Sequence, residues 1–582
     1  MTEYFEVIDR DGAARIGDLR LAASITTPAL IDDVLVDAGD LWTEDRQVPD
    51  GSDDELTVLP HRGFPAGTPE EVQTAFDPAV PDVEYPSAAV VSAETAADHG
   101  TDAYVLAGGA GLVGHSEAFV DAVVETRESI PPDAGLYLPG VATPGNVATL
   151  AYAGVDLFDR DRAVIRGTQG WYLTRDGEYR LADLEELPCS CPACQQDAAD
   201  FDREDCVEHN TNVLDAELRT VRNRIRDGEL RDYIEGQARH EQWLTAAMRR
   251  LDDEYDYLEG RTPLLRKAEI TASTDDTLRR VEIQRFAERV TDRYRNRFDA
   301  PLVLVPCSAT KPYSDSQSHG QFREAINYRG HVASMTSPIG VVPQELELTY
   351  PAQHYDTVVT GRWSETEIEF VASVLEAYLA ANDYPRVIAH VPEDYRAITE
   401  RVEDRLDREF EYTVADHPTT DESLANLSEA LSGEQKYRKR ERQHNVIRAI
   451  ADYQFGAGAG DELFGDFSVE SRYPKLRVRD DDGEQLAAMV PEYGVLALTL
   501  AGARQWVDAD VPTKRVEIDD FVPHGSVLAP GIIDADESIR VGDEVVFEGP
   551  SAFAIGRANM SGPEMVASSR GIASEVRHVE EK

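Results

Sequence analysis

The chain has 582 residues, more than one hydrophobic core organises, so roughly three to five domains are expected, and its 42% hydrophobic content is enough to build them. No run of about 18 apolar residues occurs, which excludes a membrane-spanning helix from the reading. Against 57 Lys+Arg stand 110 Asp+Glu, a net charge of −53; because these carboxylates are spread through patterned segments rather than gathered in blocks, they describe a halophilic surface and not an acidic disordered tail.

Only seven of the basic residues are Lys, which fits a surface of hydrated carboxylates. At low salt such a charge would argue against a nucleic-acid partner. In about 1 M salt the screening length is only about 3 Å, and the counterion-release term that drives polyanion binding is largely lost. An RNA partner is therefore compatible with the charge, provided that shape, stacking and base contacts supply the affinity. Met1 to Arg10 is polar and acidic, without the layout of a signal peptide, so a cytoplasmic protein is expected.

Along the chain, Glu3 to Leu30 reads as short strands with a hairpin signal at Asp11-Gly12. Residues 36 to 85, rich in Asp, Pro and Gly, read as loops. From Ala88 strands and helices alternate: SAAVV, AYVLAGG, GLYLPGVAT and VDLFD as strands, HSEAFVDAVVETRESI and TPGNVATLAYAG as helices. Alternation of this kind predicts a parallel α/β layer, either a barrel or an open sheet. A long charged helical stretch is expected from about Asp215 to Arg297. A second α/β unit begins at Pro301 with the buried strand LVLVP, a polar loop, the amphipathic helix TEIEFVASVLEAYLAAN and the strand RVIAHV. Residues 415 to 435 read as a connector, KYRKRERQHNVIRAIADYQFG as a helix with a basic front, and Arg504 to Lys582 as a small β-barrel in which Gly531 ends a strand and Gly556-Arg557-Ala558 opens the last one. The expected domains are 1–285, 286–430, 431–505 and 506–582.

Four of the five cysteines fall within 18 residues: Cys189, Cys191, Cys194 and Cys206. The spacing CxCxxC, followed by His209, is metal spacing rather than a disulfide framework. Three thiolates and one imidazole make a closed tetrahedral zinc site, structural because no coordination position is left open. Cys206 and His209 compete for the fourth place.

The segment Pro306-Cys307-Ser308-Ala309-Thr310-Lys311-Pro312-Tyr313-Ser314-Asp315-Ser316-Gln317-Ser318-His319 follows an apolar strand, where the carboxyl end of an α/β sheet offers a ligand crevice. A cation beside a thiol favours the thiolate, which is the attacking species, and Lys311 is conspicuous in a chain nearly without lysine. The segment Lys436-Tyr437-Arg438-Lys439-Arg440-Glu441-Arg442 is a dense basic run. A solvated helix face and a contact with RNA both account for it.

Three resemblances connect these pieces. The C-terminal segment, through Ala529-Pro530-Gly531, Ile539 to Val545, Ala554 to Ala558 and Arg570-Gly571, resembles the PUA domain, which implies binding of structured RNA, tRNA above all, largely by shape, with Arg557 among its contacts. The front, through Asp11 to Gly17, Thr27 to Leu30, Gly154 to Asp159 and the cysteine cluster with His209-Asn210, resembles a tRNA-guanine transglycosylase. This implies a TIM barrel with Asp159 where that family carries its nucleophile. The family's DSGGFQ-type segment is absent, so a degenerate barrel that holds tRNA or the modified base is expected. The middle, with its PCxxxKPYxxSxSH pattern and the run Ser337 to Glu347 and Tyr350-Pro351, resembles the archaeosine synthases of archaea.

That resemblance implies an α/β multidomain protein and a transferase of tRNA modification. A nitrogen donor, either free lysine or glutamine and ammonia, is added to the nitrile of 7-cyano-7-deazaguanine (preQ0) at position 15 of tRNA, in archaeosine biosynthesis. A radical SAM enzyme is an implied partner on the lysine route, and a homodimer is compatible with the family. The chemistry places Cys307 as a nucleophile forming a thioimide, with Asp315 or His319 moving protons, Lys311 and Tyr313 stabilising the developing nitrogen anion, and Ser316 completing the motif. Direct attack of the amine, oriented by Lys311, is the alternative within the same site. Glu345 and Asp159 are expected to bind substrate, and Arg438, Lys439 and Arg440 to touch RNA. Two other readings stay open: a working transglycosylase using Asp159, and a tRNA-binding scaffold without activity.

Overall fold

The computed structural model describes residues 3–37, 50–61, 68–75, 82–357 and 362–582. It divides into two compact units: Met1–Pro263 with Leu528–Glu537 and Met560–Ala573, and Leu264–Val527 with Ser538–Asn559 and Ser574–Lys582.

In the first unit a three-stranded antiparallel sheet, β1 (Phe5–Asp11), β2 (Ala14–Leu19) and β3 (Ile25–Thr27), precedes a seven-stranded parallel one. The latter holds β4 (Ala29–Leu30), β5 (Leu35–Asp37), β6 (Leu56–Val58), β7 (Ser87–Val91), β8 (Ala103–Leu106), β9 (Gly135–Tyr137) and β10 (Leu157–Phe158), in the order β4-β10-β9-β8-β7-β6-β5. Walking from β5 to β10 and then to β4 is the order around a parallel α/β barrel. Among the described residues the ladder is open between β4 and β5, so the expected degenerate barrel is a half-barrel. Strands of two to five residues suffice because Val, Leu, Ala and Tyr side chains of β6 to β10 pack on Phe5 and Leu19 of the antiparallel sheet. Gly135 lets the layers approach closely: a Cβ at this position would stand 3.2 Å from the Phe5 ring, which would have to give by a few tenths of an ångström. The transglycosylase-like motifs meet as a buried clamp. Arg15 Nε and Nη2 donate to both oxygens of Asp156 at 3.0 and 2.6 Å, and Asp156 Oδ2 also accepts the Leu136 amide at 2.8 Å.

The long charged helical stretch is divided into several helices with one strand among them. It comprises the helices Arg203–Asp227, Leu230–Gln237, Gln242–Asp253 and Tyr255–Glu259, then a strand, Ile270–Ala272, and the helix Val281–Asp292. Gly228 stops the first of these with a left-handed φ of 71°, a C-cap conformation that glycine adopts without steric cost. The segment read as loops, 36 to 85, contains β5's end, β6 and the short helix Glu70–Ala75; the rest of that reading falls partly outside the described residues.

The second unit is built on a five-stranded sheet of β14 (Leu302–Pro306), β15 (His331–Thr336), β16 (Gly340–Pro343), β18 (Val387–Ala389) and β19 (Glu411–Tyr412), ordered β16-β15-β14-β18-β19. β14 is parallel to both its neighbours, and only the β15–β16 pair is antiparallel. The chain leaves β14 for β15 on one side and returns to β18 on the other, so the carboxyl end of β14 is a topological switch point, where open α/β sheets form their ligand crevices. β13 (Ile270–Ala272) pairs with β17 (Tyr355–Thr357) in a separate two-stranded sheet. The helix Glu365–Ala381, started by a capping box from Ser364 and Glu367, covers the sheet with Val371, Leu375 and Tyr378. The expected connector 415 to 435 contains the helix Asp421–Ala430, capped by Thr420.

After the helix Lys439–Phe455 comes a four-stranded antiparallel sheet, β20 (Ser468–Glu470), β21 (Arg477–Arg479), β22 (Gln485–Val490) and β23 (Val495–Leu498). In the C-terminal barrel β24 (Arg515–Ile518) runs parallel to β27 (Glu544–Glu548), which pairs with β28 (Ala552–Ala558), which pairs with β29 (Ile572–Glu581). Two details differ from the sequence reading. Ala529–Gly531 is a single turn of 3-10 helix that precedes a strand, Ile532–Ala535; a proline at its second position suits a turn better than a ladder. Gly556-Arg557-Ala558 closes β28 instead of opening the final strand.

Candidate functional site

Cys307 is the first residue past β14, and the strand's apolar run Leu302–Val305 is fully buried beneath it. The thiol is half-buried at the edge of the core. Its Sγ lies 3.4 Å from the hydroxyl of Tyr395, which stands on the turn after β18 and packs edge-on against Trp363 at 4.8 Å between centroids. Lys311 Nζ sits 3.9 Å over the ring of Tyr355, an arrangement in which the ring face offsets part of the lost hydration. Burial lowers the Lys311 pKa, and Cys307, Asp356 and Glu269 oppose that shift. Tyr313 is buried and bonds Tyr355 hydroxyl to hydroxyl at 2.6 Å; Tyr355 is held in turn by Thr336 Oγ1 at 2.8 Å. The thiol thus lies among one ammonium group and a set of fixed phenols.

The rest of the motif shapes the loop. Ser316 Oγ accepts the His319 amide at 3.2 Å and caps the helix Gln317–Ile326, as an N-cap serine does. His319 stacks on Tyr313 at 5.0 Å, and its Nε2 meets the Pro306 carbonyl at 3.0 Å. Since a carbonyl only accepts, Nε2 carries the proton and Nδ1 is the ring's acceptor. Burial holds the ring's pKa down at about 4. Asp315 is exposed. Residues alternate along the loop: Lys311 and Tyr313 turn towards Tyr355, whereas Pro312, Ser314 and Asp315 line a separate cleft of about 650 Å³ that runs beside the helix Gln317–Ile326.

Glu345 forms part of that cleft's wall yet is only 1% exposed. Its Oε2 meets His331 Nε2 at 2.9 Å and Tyr294 Oη at 3.2 Å, and Oε1 accepts from Gln344 at 3.1 Å. Burial pushes this carboxyl up, but His331, its own backbone amide and Gln344 together outweigh it and the net shift is downward. His331 passes the network on to Tyr384, at 2.8 Å, and Tyr378. Glu347 is a neighbour on the cleft wall, bonded to the Ser314 amide at 2.8 Å and the Tyr473 hydroxyl at 2.9 Å, with its pKa raised by burial.

Asp159 lies just past β10, 3% exposed. It accepts from Tyr137 Oη at 2.9 Å, the Gly140 amide at 2.6 Å and the Asp161 amide at 3.0 Å, and burial raises its pKa. A carboxylate held by three donors anchors the loops around it.

The cysteine cluster is resolved. The ligand atoms of Cys189, Cys191, Cys194 and His209 all lie within 4.8 Å of one another and could hold a metal ion. Cys194 Sγ stands 3.3 Å and Cys191 Sγ 3.6 Å from His209 Nδ1. His209 Nε2 is committed to the Leu173 carbonyl at 2.9 Å, so Nδ1 is the free lone pair, and the ring stacks on Tyr172 at 3.7 Å. A ligand histidine orienting its other nitrogen on a carbonyl is the usual outer-shell arrangement. Cys206 turns away: it is wholly buried and its Sγ meets the Trp171 carbonyl at 3.3 Å.

Arg438, Lys439 and Arg440 are exposed at the start of the helix Lys439–Phe455, and Arg557 is half-buried near Glu544 at 3.9 Å.

Compared with known proteins, the chain is 64% identical to the archaeosine synthase of Haloferax volcanii, with both proteins covered in full. The chain belongs to the archaeosine synthase family. The archaeosine synthase subunit alpha of Methanosarcina acetivorans is 41% identical, again over the whole of both chains. A tRNA-guanine(15) transglycosylase of Methanothermobacter thermautotrophicus is 29% identical over 79% of this chain and 68% of its own length. Residues 70–242 match the queuine tRNA-ribosyltransferase family, 283–431 a domain of unknown function (DUF5591), 445–512 the patch-forming domain C2 of tRNA-guanine transglycosylase, and 514–579 the PUA domain. In this member of the archaeosine synthase family Cys307 and Lys311 thus fall in the domain of unknown function and the metal cluster in the transglycosylase-like part.

Sequence reasoning missed Tyr395 and Tyr355. Each is a tyrosine among 23, outside any motif, and reaches the thiol loop only through the order of the sheet strands.

Proposed function

We propose that this chain is a tRNA-modifying transferase of archaeosine biosynthesis that adds a nitrogen donor to the nitrile of preQ0 in tRNA, with Cys307 as the nucleophile. The observation that carries the reading is the placing of a half-buried thiol at the switch point of the second sheet, beside Tyr395 and the Lys311 loop. The thiolate adds to the nitrile carbon and the nitrile nitrogen takes a proton, giving a thioimide. The donor amine then adds to the same carbon, the C–S bond breaks, the thiol is restored and an amidine remains. Lys311 and the Tyr395 hydroxyl are within the loop's reach to stabilise charge on sulfur or nitrogen. Protons move through the free Nδ1 of His319 or through exposed Asp315. Tyr313 and Ser316 fix the loop.

A zinc ion held by Cys189, Cys191, Cys194 and His209 fits the donor set and folds that lobe without entering the reaction. tRNA is gripped by the PUA domain, with Arg557, and by the basic residues Arg438, Lys439 and Arg440. The functional division is taken as 1–285, 286–430, 431–505 and 506–582, and the protein as cytoplasmic. Among the described residues no helix is long and apolar enough to cross a membrane. The test is mass spectrometry of nucleosides from nitrile-bearing tRNA incubated with the protein and lysine, glutamine or ammonium in high salt. One donor is expected to give a new nucleoside, heavier by a whole lysine with lysine, or by ammonia with ammonium or with glutamine, whose amide is hydrolysed to glutamate. An unchanged nitrile nucleoside with all three sinks the reading.

A further inference from the structure

The cleft beside the helix Gln317–Ile326 adjoins the thiol loop and shares Asp315 and His319 with it. Cys307 and Lys311 are absent from its lining. Its wall carries Arg323, Lys439, Arg442 and Arg472 beside the carboxylates of Asp315, Glu345 and Glu347, and among the described residues none of these four cations has a carboxylate oxygen within 4 Å. Elsewhere on the same unit Arg386, Arg401 and Arg405 each hold one or more glutamates. Arg323 donates to the Ser314 carbonyl at 2.6 Å. Arg442 lies flat on Tyr328, 3.7 Å from the ring centroid, and its Nε is buried without a hydrogen-bond partner.

We propose that this cleft binds a phosphodiester segment of RNA, with Arg442 and Arg472 on phosphate oxygens and Tyr328 as a stacking platform for a base. The proposal rests on the reading that the substrate is tRNA. Three observations favour RNA over a small carboxylate. The volume of about 650 Å³ is at the size of a nucleotide and its neighbour, within the range of about 300–1,000 Å³ that pockets for such ligands occupy. The charge continues outward from the cleft into exposed Lys436, Arg438 and Arg440, a row that suits a polyanion and exceeds what one carboxylate needs. An exposed aromatic under a guanidinium is the pairing on which unstacked bases of RNA rest.

The experiment measures affinity for a tRNA transcript by fluorescence anisotropy over a series of KCl concentrations. It compares the full chain with Lys439→Ala/Arg472→Ala, both exposed positions, with Arg442→Ala, and with Arg401→Ala/Arg405→Ala as a control of equal charge change. The expected result is a loss of about tenfold or more for each cleft variant, with a salt slope shallower by about one phosphate contact per removed cation, and no loss beyond the charge effect for the control. Equal binding by wild type and both cleft variants overturns the proposal. So does unchanged tRNA affinity with a raised KM for the amine donor, which assigns the cleft to the donor's carboxylate. Failure of the nitrile reading is distinct: it leaves these affinities as they are and removes the product from the wild type.

Discussion

At the residue scale, the thiol, the ammonium and the phenol have separable duties. Removing the Tyr395 hydroxyl by Tyr395→Phe leaves the packing on Trp363 but takes away the donor 3.4 Å from Cys307. Loss of one donor to a developing anion lowers kcat by about 10²–10³-fold, so Tyr395→Phe is expected to fall in that range at its upper limit, with little change in tRNA affinity. Product formation under single turnover, with tRNA binding measured alongside, checks this. His319 makes a prediction of a different sort. Its ordinary pKa of 6.5 is brought to about 4 by burial, so between these values the unfolded chain binds a proton that the folded one refuses. The stability this ring supports is complete above pH 6.5 and is lost as the pH falls towards 4. The largest effect is about 3 kcal/mol. Denaturant unfolding at pH 7 and pH 5 is expected to show a steeper decline for the wild type than for His319→Phe; parallel declines contradict the assignment. Cys307, Lys311 and the cysteine cluster were legible in the sequence because their chemistry is local. Tyr395 was not, since 88 residues separate it from the thiol and only strand order brings them together.

At the element scale, two supports hold the site. The sheet's interior contains the hydrogen-bonded pair of His331 and Glu345, 2.9 Å apart and 0% and 1% exposed. Removing one partner of a buried hydrogen bond leaves the other unmet and costs about 1–3 kcal/mol; His331→Ala is expected to lose at least that much by denaturant titration, and a loss below about 0.5 kcal/mol contradicts it. This pair also explains why Glu345, read from its motif as a ligand for the donor, faces inward: the run of apolar residues around it folds its carboxylate onto a histidine that sequence spacing does not reveal. In the metal lobe, Cys206→Ser is expected to retain the metal content of the wild type, since its thiol points at a carbonyl, whereas Cys194→Ser loses it. Elemental analysis of the two purified variants decides. Which of Cys206 and His209 faces the cluster was open in the sequence because both lie on one helix, Arg203–Asp227, three residues apart; only the direction of the side chains separates them. The breaks in the long charged stretch were missed for a related reason. Helical periodicity persists across Gly228, and the positive φ that ends the helix leaves no trace in an amphipathic pattern.

At the scale of the whole molecule, the charge of −53 sets the conditions under which everything else operates. Self-repulsion destabilises the compact state where salt does not screen it, so the thermal midpoint is expected to climb steeply as KCl rises from dilute to molar concentrations. A flat dependence would remove the halophilic reading. The α/β alternation and the succession of domains were visible in the sequence, because apolar periodicity survives in an acidic chain. The ladder that stays open between β4 and β5 among the described residues was not, as it depends on which short strands find partners. The central claim is that Cys307 attacks the nitrile delivered by tRNA. It is tested most directly by mixing the protein with nitrile-bearing tRNA in the absence of any donor, quenching in acid, digesting both polymers and weighing the peptide that contains Cys307. The account predicts that peptide carrying the mass of the modified nucleoside, and no such species from Cys307→Ala. An unmodified peptide, together with full turnover by Cys307→Ala once donor is supplied, would contradict it.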